Sequence, residues 1–144
     1  VTRLREMSPL WEMAQEGIEF TDYYRCYVLG RERVRVMRYD PKAPPERRYV
    51  LDAPPADPAL LARVERDALA LCRALGYDFN TVEFAVRDGV PYAIDFCNPA
   101  PDADRHSVGE ENFAWVVEAA CGAARRLVNE QRRKSAQHAR HGGH

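Results

Sequence analysis

Alternating and helical patterns of apolar residues divide the chain into two hairpins and two helices. Residues 25–29 and 34–39 read as the arms of a first β-hairpin turning at 30–33. Val34 and Val36 alternate there with Arg35 and Met37, the period of a half-buried strand. Residues 81–86 and 90–96 form a second hairpin, rich in β-branched and aromatic side chains, with Asp88-Gly89 at its turn. Between them Leu60, Leu61, Val64, Ala68, Leu71 and Leu75 recur at helical spacing. Asp57 is placed to cap that helix, Pro58 suits its first turn, and Gly76 ends it. A last helix is expected from Ser107, which has capping-box spacing to Glu110. Its stripe is Phe113, Val116, Val117, Ala120, Cys121, Ala124 and Leu127.

The intervening segments are less regular. Residues 11–20 suggest a short strand and a bend at Gly17. Six of the ten prolines fall in 40–58, a surface connection with room for a short strand at 48–51. Residues 98–105 form a proline-bearing loop. The expected fold is α+β, an antiparallel sheet built from the two hairpins with two helices packed on one face, because both apolar stripes need a surface to cover. Residues 1–128 form this unit, and 129–144 turn polar and basic, the composition of a disordered tail.

Composition narrows the function. Twenty-one Lys and Arg against 22 Asp and Glu give a net charge of −1, which offers no general attraction to nucleic acid or a membrane. No apolar run approaches the roughly 20 residues of a membrane span, and a signal peptide is not evident, so a cytoplasmic setting is expected. Cys26, Cys72, Cys97 and Cys121 lack CxxC spacing and sit in apolar segments, as buried thiols do.

The chemistry concentrates in the second hairpin. Glu83 stands on one arm and Asp95 on the other, among Val, Phe, Ile and Tyr, where a carboxylate needs a metal, a cation or solvent. Asn98 adds a hard oxygen. A two-residue turn at Asp88-Gly89 would place Glu83 opposite Ile94 and send Asp95 to the other face. A three-residue turn of Arg87-Asp88-Gly89 would pair Val86 with Val90 and bring both acids to one face; the glycine favours this choice. Two carboxylates and an amide oxygen suit magnesium, which takes one or two carboxylates and completes its shell with phosphate and water.

The string VEFAVRDGVPYAIDFCNPAPD resembles the metal-binding end of ATP-grasp ligases. In that family an acid on one strand, and an acid and an asparagine on the next, hold two Mg²⁺ ions against the phosphates of ATP. The resemblance assigns these roles to Glu83, Asp95 and Asn98. Two residues, Phe96 and Cys97, separate Asp95 from Asn98 where the family commonly has one. A bulge or turn at Cys97 is therefore required. Upstream, QEGIEFTDYYRCYVLGRERVRVMRYDP is similar to the family's entry to this lobe. Gln15, Glu16 and Ile18 occupy the adenine-hinge position, Asp22 that of a ribose acceptor, and Arg25 that of a basic residue reaching the phosphates. Arg38 is a further basic candidate.

The resemblance covers about residues 11–128 and implies an ATP- and Mg²⁺-dependent carboxylate ligase. Its partners would be a small-molecule carboxylate, activated as an acyl phosphate, and an amine or other nucleophile. The family's preceding lobe, with its lysine and glycine-rich loop, has no counterpart in these residues, so this lobe alone is expected to be inactive. Apolar surface around Leu10, Trp11 and Met13 would face the absent lobe. The alternative is a non-catalytic nucleotide-binding or interaction module built on such a lobe.

Overall fold

Strand β1 (Asp22–Leu29) is buried at seven of its eight positions because it lies inside the sheet with an element packed over each side. The computed structural model describes residues 16–98 and 100–141. The expectations for Gln15 and for Leu10, Trp11 and Met13 lie outside those residues. β1 pairs antiparallel with β2 (Arg33–Arg38) and with β3 (Phe79–Arg87), and β3 pairs antiparallel with β4 (Val90–Asn98). The sheet order is β2-β1-β3-β4. The α+β class and the antiparallel sheet of two hairpins are as the sequence predicts.

The two main helices lie on opposite faces, not on one. Tyr24, Cys26 and Val28 point with Val82, Phe84 and Val86 toward α1 (Pro58–Leu75), whose Val64, Ala68 and Cys72 are buried against them. Tyr23, Tyr27 and Leu29 point the other way and join Met37, Tyr39 and Ala85. Val116 and Ala119 of α3 (Glu110–His141) cover that cluster. Each apolar stripe does find a sheet surface, but β1 is apolar on both sides and provides two.

Capping of α1 follows the sequence. Asp57 accepts the Ala59 N–H at 3.0 Å, and Gly76 closes the helix in the left-handed region at φ 78°. At the other end of the sheet the β1–β2 turn is fixed by sterics and charge. A Cβ at Gly30 would stand 3.2 Å from the Ala123 Cβ of α3. Arg31 grips Asp78 through Nε and Nη2 at 2.8 and 2.7 Å. The expected strand at 48–51 is reduced to a single bridge between Tyr39 and Tyr49, flanked by Val50 N–H to Arg38 C=O at 3.1 Å.

The C-terminal helix departs from expectation in three ways. Asp104, not Ser107, caps the short α2 (Arg105–Val108), and α3 begins after Gly109. The buried face is rotated: Val116, Ala119 and Ala123 are buried, whereas Val117, Cys121 and Leu127 are exposed. Small alanines let α3 approach the β1–β2 turn, and that contact sets the rotation. Finally, the helix runs to His141, beyond the residue 129 boundary, on a stretch of good helix formers whose described side chains, 130–137, are all exposed. Cys26 and Cys72 are buried as expected; Cys97 and Cys121 are exposed, and all four thiols are free. Among the described residues no helix is long and apolar enough to cross a membrane.

Candidate functional site

The second hairpin brings its acids together by a different route from the one the sequence suggests. Its turn has two residues: Arg87 pairs with Val90, and Asp88 and Gly89 take φ values of 54° and 71°, as a type I′ turn requires. That register alone would put Asp95 on the wrong face. Two irregularities in β4 correct it. Phe84 faces Ala93, but the next residue, Glu83, faces Asp95, so Ile94 is an extra residue in the ladder. A second extra residue follows, because Thr81 faces Asn98 where strict alternation would offer Cys97. The bulge demanded by the spacing of Asp95 and Asn98 is thus present.

Pairing then extends across β1, where Arg25 faces Glu83 and Tyr27 faces Thr81. Arg25, Glu83 and Asp95 form one row across three strands. Tyr27, Thr81 and Asn98 form the next. The second bulge is held from the opposite face by Asn80, which is fully buried. Its Oδ1 accepts the Asn98 N–H at 2.9 Å, and its Nδ2 donates to the Phe96 carbonyl at 2.8 Å.

Glu83 is the more enclosed acid, with its side chain 15% exposed; Asp95 is exposed. The Tyr23 hydroxyl donates to Glu83 Oε2 at 2.7 Å, and Arg25 Nε stands 3.6 Å from Oε1. Burial and then the bond to Glu83 push the Tyr23 phenol well above its ordinary pKa, so it stays a donor. Arg25 is itself buried. Its guanidinium lies over the rings of Tyr39 and Tyr49, donates to the Tyr39 hydroxyl at 3.2 Å and meets Asp102 at 3.5 Å. Tyr27 and Tyr49 share a hydrogen bond at 2.9 Å, and Tyr27 also donates to the Asp102 carbonyl. Arg25 Nε is buried without a hydrogen-bond partner.

The other predicted residues fall differently. Glu16 is exposed, and Ile18 packs against the aromatic cluster on the Arg25 face. Asp22 shares the facing parity of Tyr24 and forms an ion pair with Arg38 at 2.7 Å on the α1 side. Neither Asp22 nor Arg38 joins the row. The residues that sequence reasoning missed are Asn80, Tyr23 and Asp102. An asparagine inside a strand is a poor β former and was a readable signal for Asn80; Tyr23 and Asp102 carried none.

The donor set fits magnesium in one specific sense. Among the described residues no group of three or more His, Cys, Asp or Glu side chains gathers. A cage made wholly of protein ligands is therefore not built from them. Two carboxylates and an amide on an open strand row suit an ion whose remaining ligands come from phosphate and water.

This arrangement of hairpins and helices matches the fold of part of two larger solved structures. Two solved structures similar to the chain are D-alanine–D-alanine ligases from Bacillus anthracis. The one complexed with ATP matches with a TM-score of 0.60 and 17% identity over 80% of this chain and 41% of its own. The other gives 0.58 and 15% over 81% and 44%. The chain thus spans less than half the length of these ligases, and identities at this level establish the shared fold. No protein-family model and no curated protein matches the sequence.

Proposed function

We propose that this chain supplies the metal- and phosphate-binding half of an ATP-dependent carboxylate ligase. The observation that carries the reading is the double bulge in β4, which sets Glu83, Asp95 and Asn98 on one face despite a two-residue turn. Bulges that re-aim side chains are found next to active sites. Glu83, Asp95 and Asn98 would hold Mg²⁺, which neutralises phosphate charge when bound. Tyr23 keeps the Glu83 carboxylate in place through its hydroxyl. Arg25 adds a fixed positive charge beside it, with its Nη2 directed to the exposed side chain of Asp102 at 3.5 Å. Ile18, with Glu16 and Gln15, belongs to the segment that would meet the adenine. The finer reading is transfer of the γ-phosphoryl group to a substrate carboxylate, followed by attack of a nucleophile on the acyl phosphate. A second lobe, as in the longer ligases, would cover the row and supply the substrates' contacts.

The test uses Mn²⁺ as a paramagnetic stand-in for Mg²⁺, added with ATP to the ¹⁵N-labelled chain. Amide signals at 82–84 and 95–98 should broaden first, and the Glu83→Gln, Asp95→Asn double variant should lose that broadening while keeping its spectrum elsewhere. Broadening that is centred on other acids, or unchanged in the double variant, overturns the assignment.

A further inference from the structure

Helix α3 carries more apolar surface than the sheet takes up. Val116, Ala119 and Ala123 are buried, whereas Val117, Leu127 and Val128 are 45%, 45% and 50% exposed. Ala114, Val117, Cys121, Ala124 and Val128 follow one another at steps of three and four, and all five are exposed. That spacing makes a straight seam, the pattern by which one helix packs along another. At roughly 100° per residue the seam lies opposite the line through Val116, Ala119 and Ala123. A second helix can therefore lie along it without displacing the sheet.

The charges beside the seam say which helix that is. On one side Glu111, Glu118, Arg125 and Arg132 recur every seven positions, two acids followed by two bases. On the other side stand Phe113, Ala120 and Leu127. A parallel copy of α3 would set the charged row against this apolar side and gain no contact of opposite sign. An antiparallel copy sets the row against itself. With Cys121 level with the partner's Ala124, and Val117 with the partner's Val128, Glu118 meets the partner's Arg125 and Glu111 meets the partner's Arg132. Every contact between the two rows then joins opposite signs. The surface is its own complement, as a two-fold dimer requires.

These charges are placed to serve such a contact. Among the described residues no ion pair joins Arg125 or Arg132 to an acid. Glu118 and Glu111 hold Arg33 and Arg35 at 3.0 and 2.6 Å, yet their side chains are 73% and 85% exposed. A carboxylate can accept from a second arginine on its open side.

We propose that the outer face of α3 is a dimerisation surface, pairing antiparallel with α3 of a second copy of this chain along the seam from Ala114 to Val128. The seam is about 21 Å long. Alanines bury little area, so the interface belongs to the small, weak class. The proposal uses no residue of the acid row and does not rest on the ligase reading.

The test is sedimentation equilibrium of the 144-residue chain at low salt, where charged contacts are least screened. Reductant is present because Cys121 is an exposed thiol. The mass should rise from monomer to dimer between about 10 µM and about 1 mM, the range of a weak interface, and stop there. Arg125→Glu and Glu118→Arg each turn two symmetry-related contacts repulsive. Each should weaken the dimer about tenfold or more. In an equimolar mixture of the two variants, the mixed dimer again joins opposite signs at both contacts, and association should return to the wild-type level. Both substitutions are at exposed positions, and unchanged circular dichroism will show that the fold is kept. A chain monomeric at every concentration, or a mass that climbs past the dimer, overturns the proposal. So does a dimer that neither variant weakens, which would place association on another surface, or a mixture that fails to restore it, which would exclude the antiparallel pairing.

Discussion

The side chain of Asn80 accepts the backbone N–H of Asn98 at 2.9 Å, so a buried amide on one face of the sheet sets the position of a candidate metal ligand on the other. The same amide donates to the Phe96 carbonyl, and its Nδ2 lies 3.4 Å from Cys72 Sγ. Replacing Asn80 by alanine would leave two part-buried backbone groups without these partners. The expected loss is about 1–3 kcal/mol of stability, measured by urea unfolding. Mn²⁺ broadening at 95–98 should weaken as well. A variant that keeps both stability and broadening would show that the bulge holds itself.

In the proposed site Tyr23 would act through Glu83, to which its hydroxyl donates at 2.7 Å. Tyr23→Phe keeps the ring packed against Phe20 and Tyr39 and removes only the hydroxyl. Loss of a partner that orients a metal-binding carboxylate typically weakens binding about tenfold or more. Mn²⁺ affinity should fall accordingly with Mg²⁺ and Mn²⁺ affected alike, while far-ultraviolet circular dichroism is unchanged. An unaltered affinity would remove Tyr23 from the site.

Phe84 is 2% exposed and fills the α1 side of the sheet. Phe84→Ala should cost about 3–5 kcal/mol, as large core truncations do. Asp57→Ala, which removes the α1 cap, should cost about 1 kcal/mol. Denaturant midpoints will rank the two, and a reversed ranking would contradict the packing described.

Asp104 gives a pH test. Its bond to Ser107, followed by those from backbone N–H groups, holds the carboxyl below the ordinary aspartate value. A depressed folded-state pKa means that its contribution is present above the unfolded value of about 3.9 and is lost as pH falls through the folded value. The stability gap between wild type and Asp104→Ala should therefore be constant at neutral pH and close on acidification. A gap independent of pH down to acid unfolding would contradict the ionic cap.

The last buried residue of α3 is Ala123 among those described. Ending the chain at residue 130 should therefore change stability by less than about 0.5 kcal/mol, since exposed positions seldom contribute more. A larger loss would show that the helical extension supports the body.

Much of the fold was legible because its signals are local. The caps of α1, the two hairpins and the pairing of acids with a strand context follow from a few adjacent residues. The two-sided burial of β1 was also written in the near-continuous apolar run Tyr23–Leu29, interrupted only by Arg25. The one-face expectation failed because it weighed the helix stripes and not that run. The shared face of Glu83 and Asp95 was foreseen with the wrong turn. The bulge before Asn98 was expected from its spacing to Asp95, whereas the one at Ile94 depends on packing between strands, which no pattern within β4 reveals. The rotation of α3 likewise depends on contact with Gly30, more than eighty positions upstream.

Tyr23 and Glu83 are sixty residues apart in the chain. Each hairpin can form from its neighbours alone, but the row exists only after β1 has docked on β3, with α1 enclosed in the closed loop. Docking of this non-local kind is the slow part of folding. Arg25 and Tyr23 come from one hairpin, and Glu83, Asp95 and Asn98 from the other, so the second hairpin formed alone carries the proposed ligands without the Tyr23 and Arg25 contacts that hold Glu83. Under the proposed reading, full metal affinity should therefore appear during refolding only with the docking step that brings Tyr23 to Glu83.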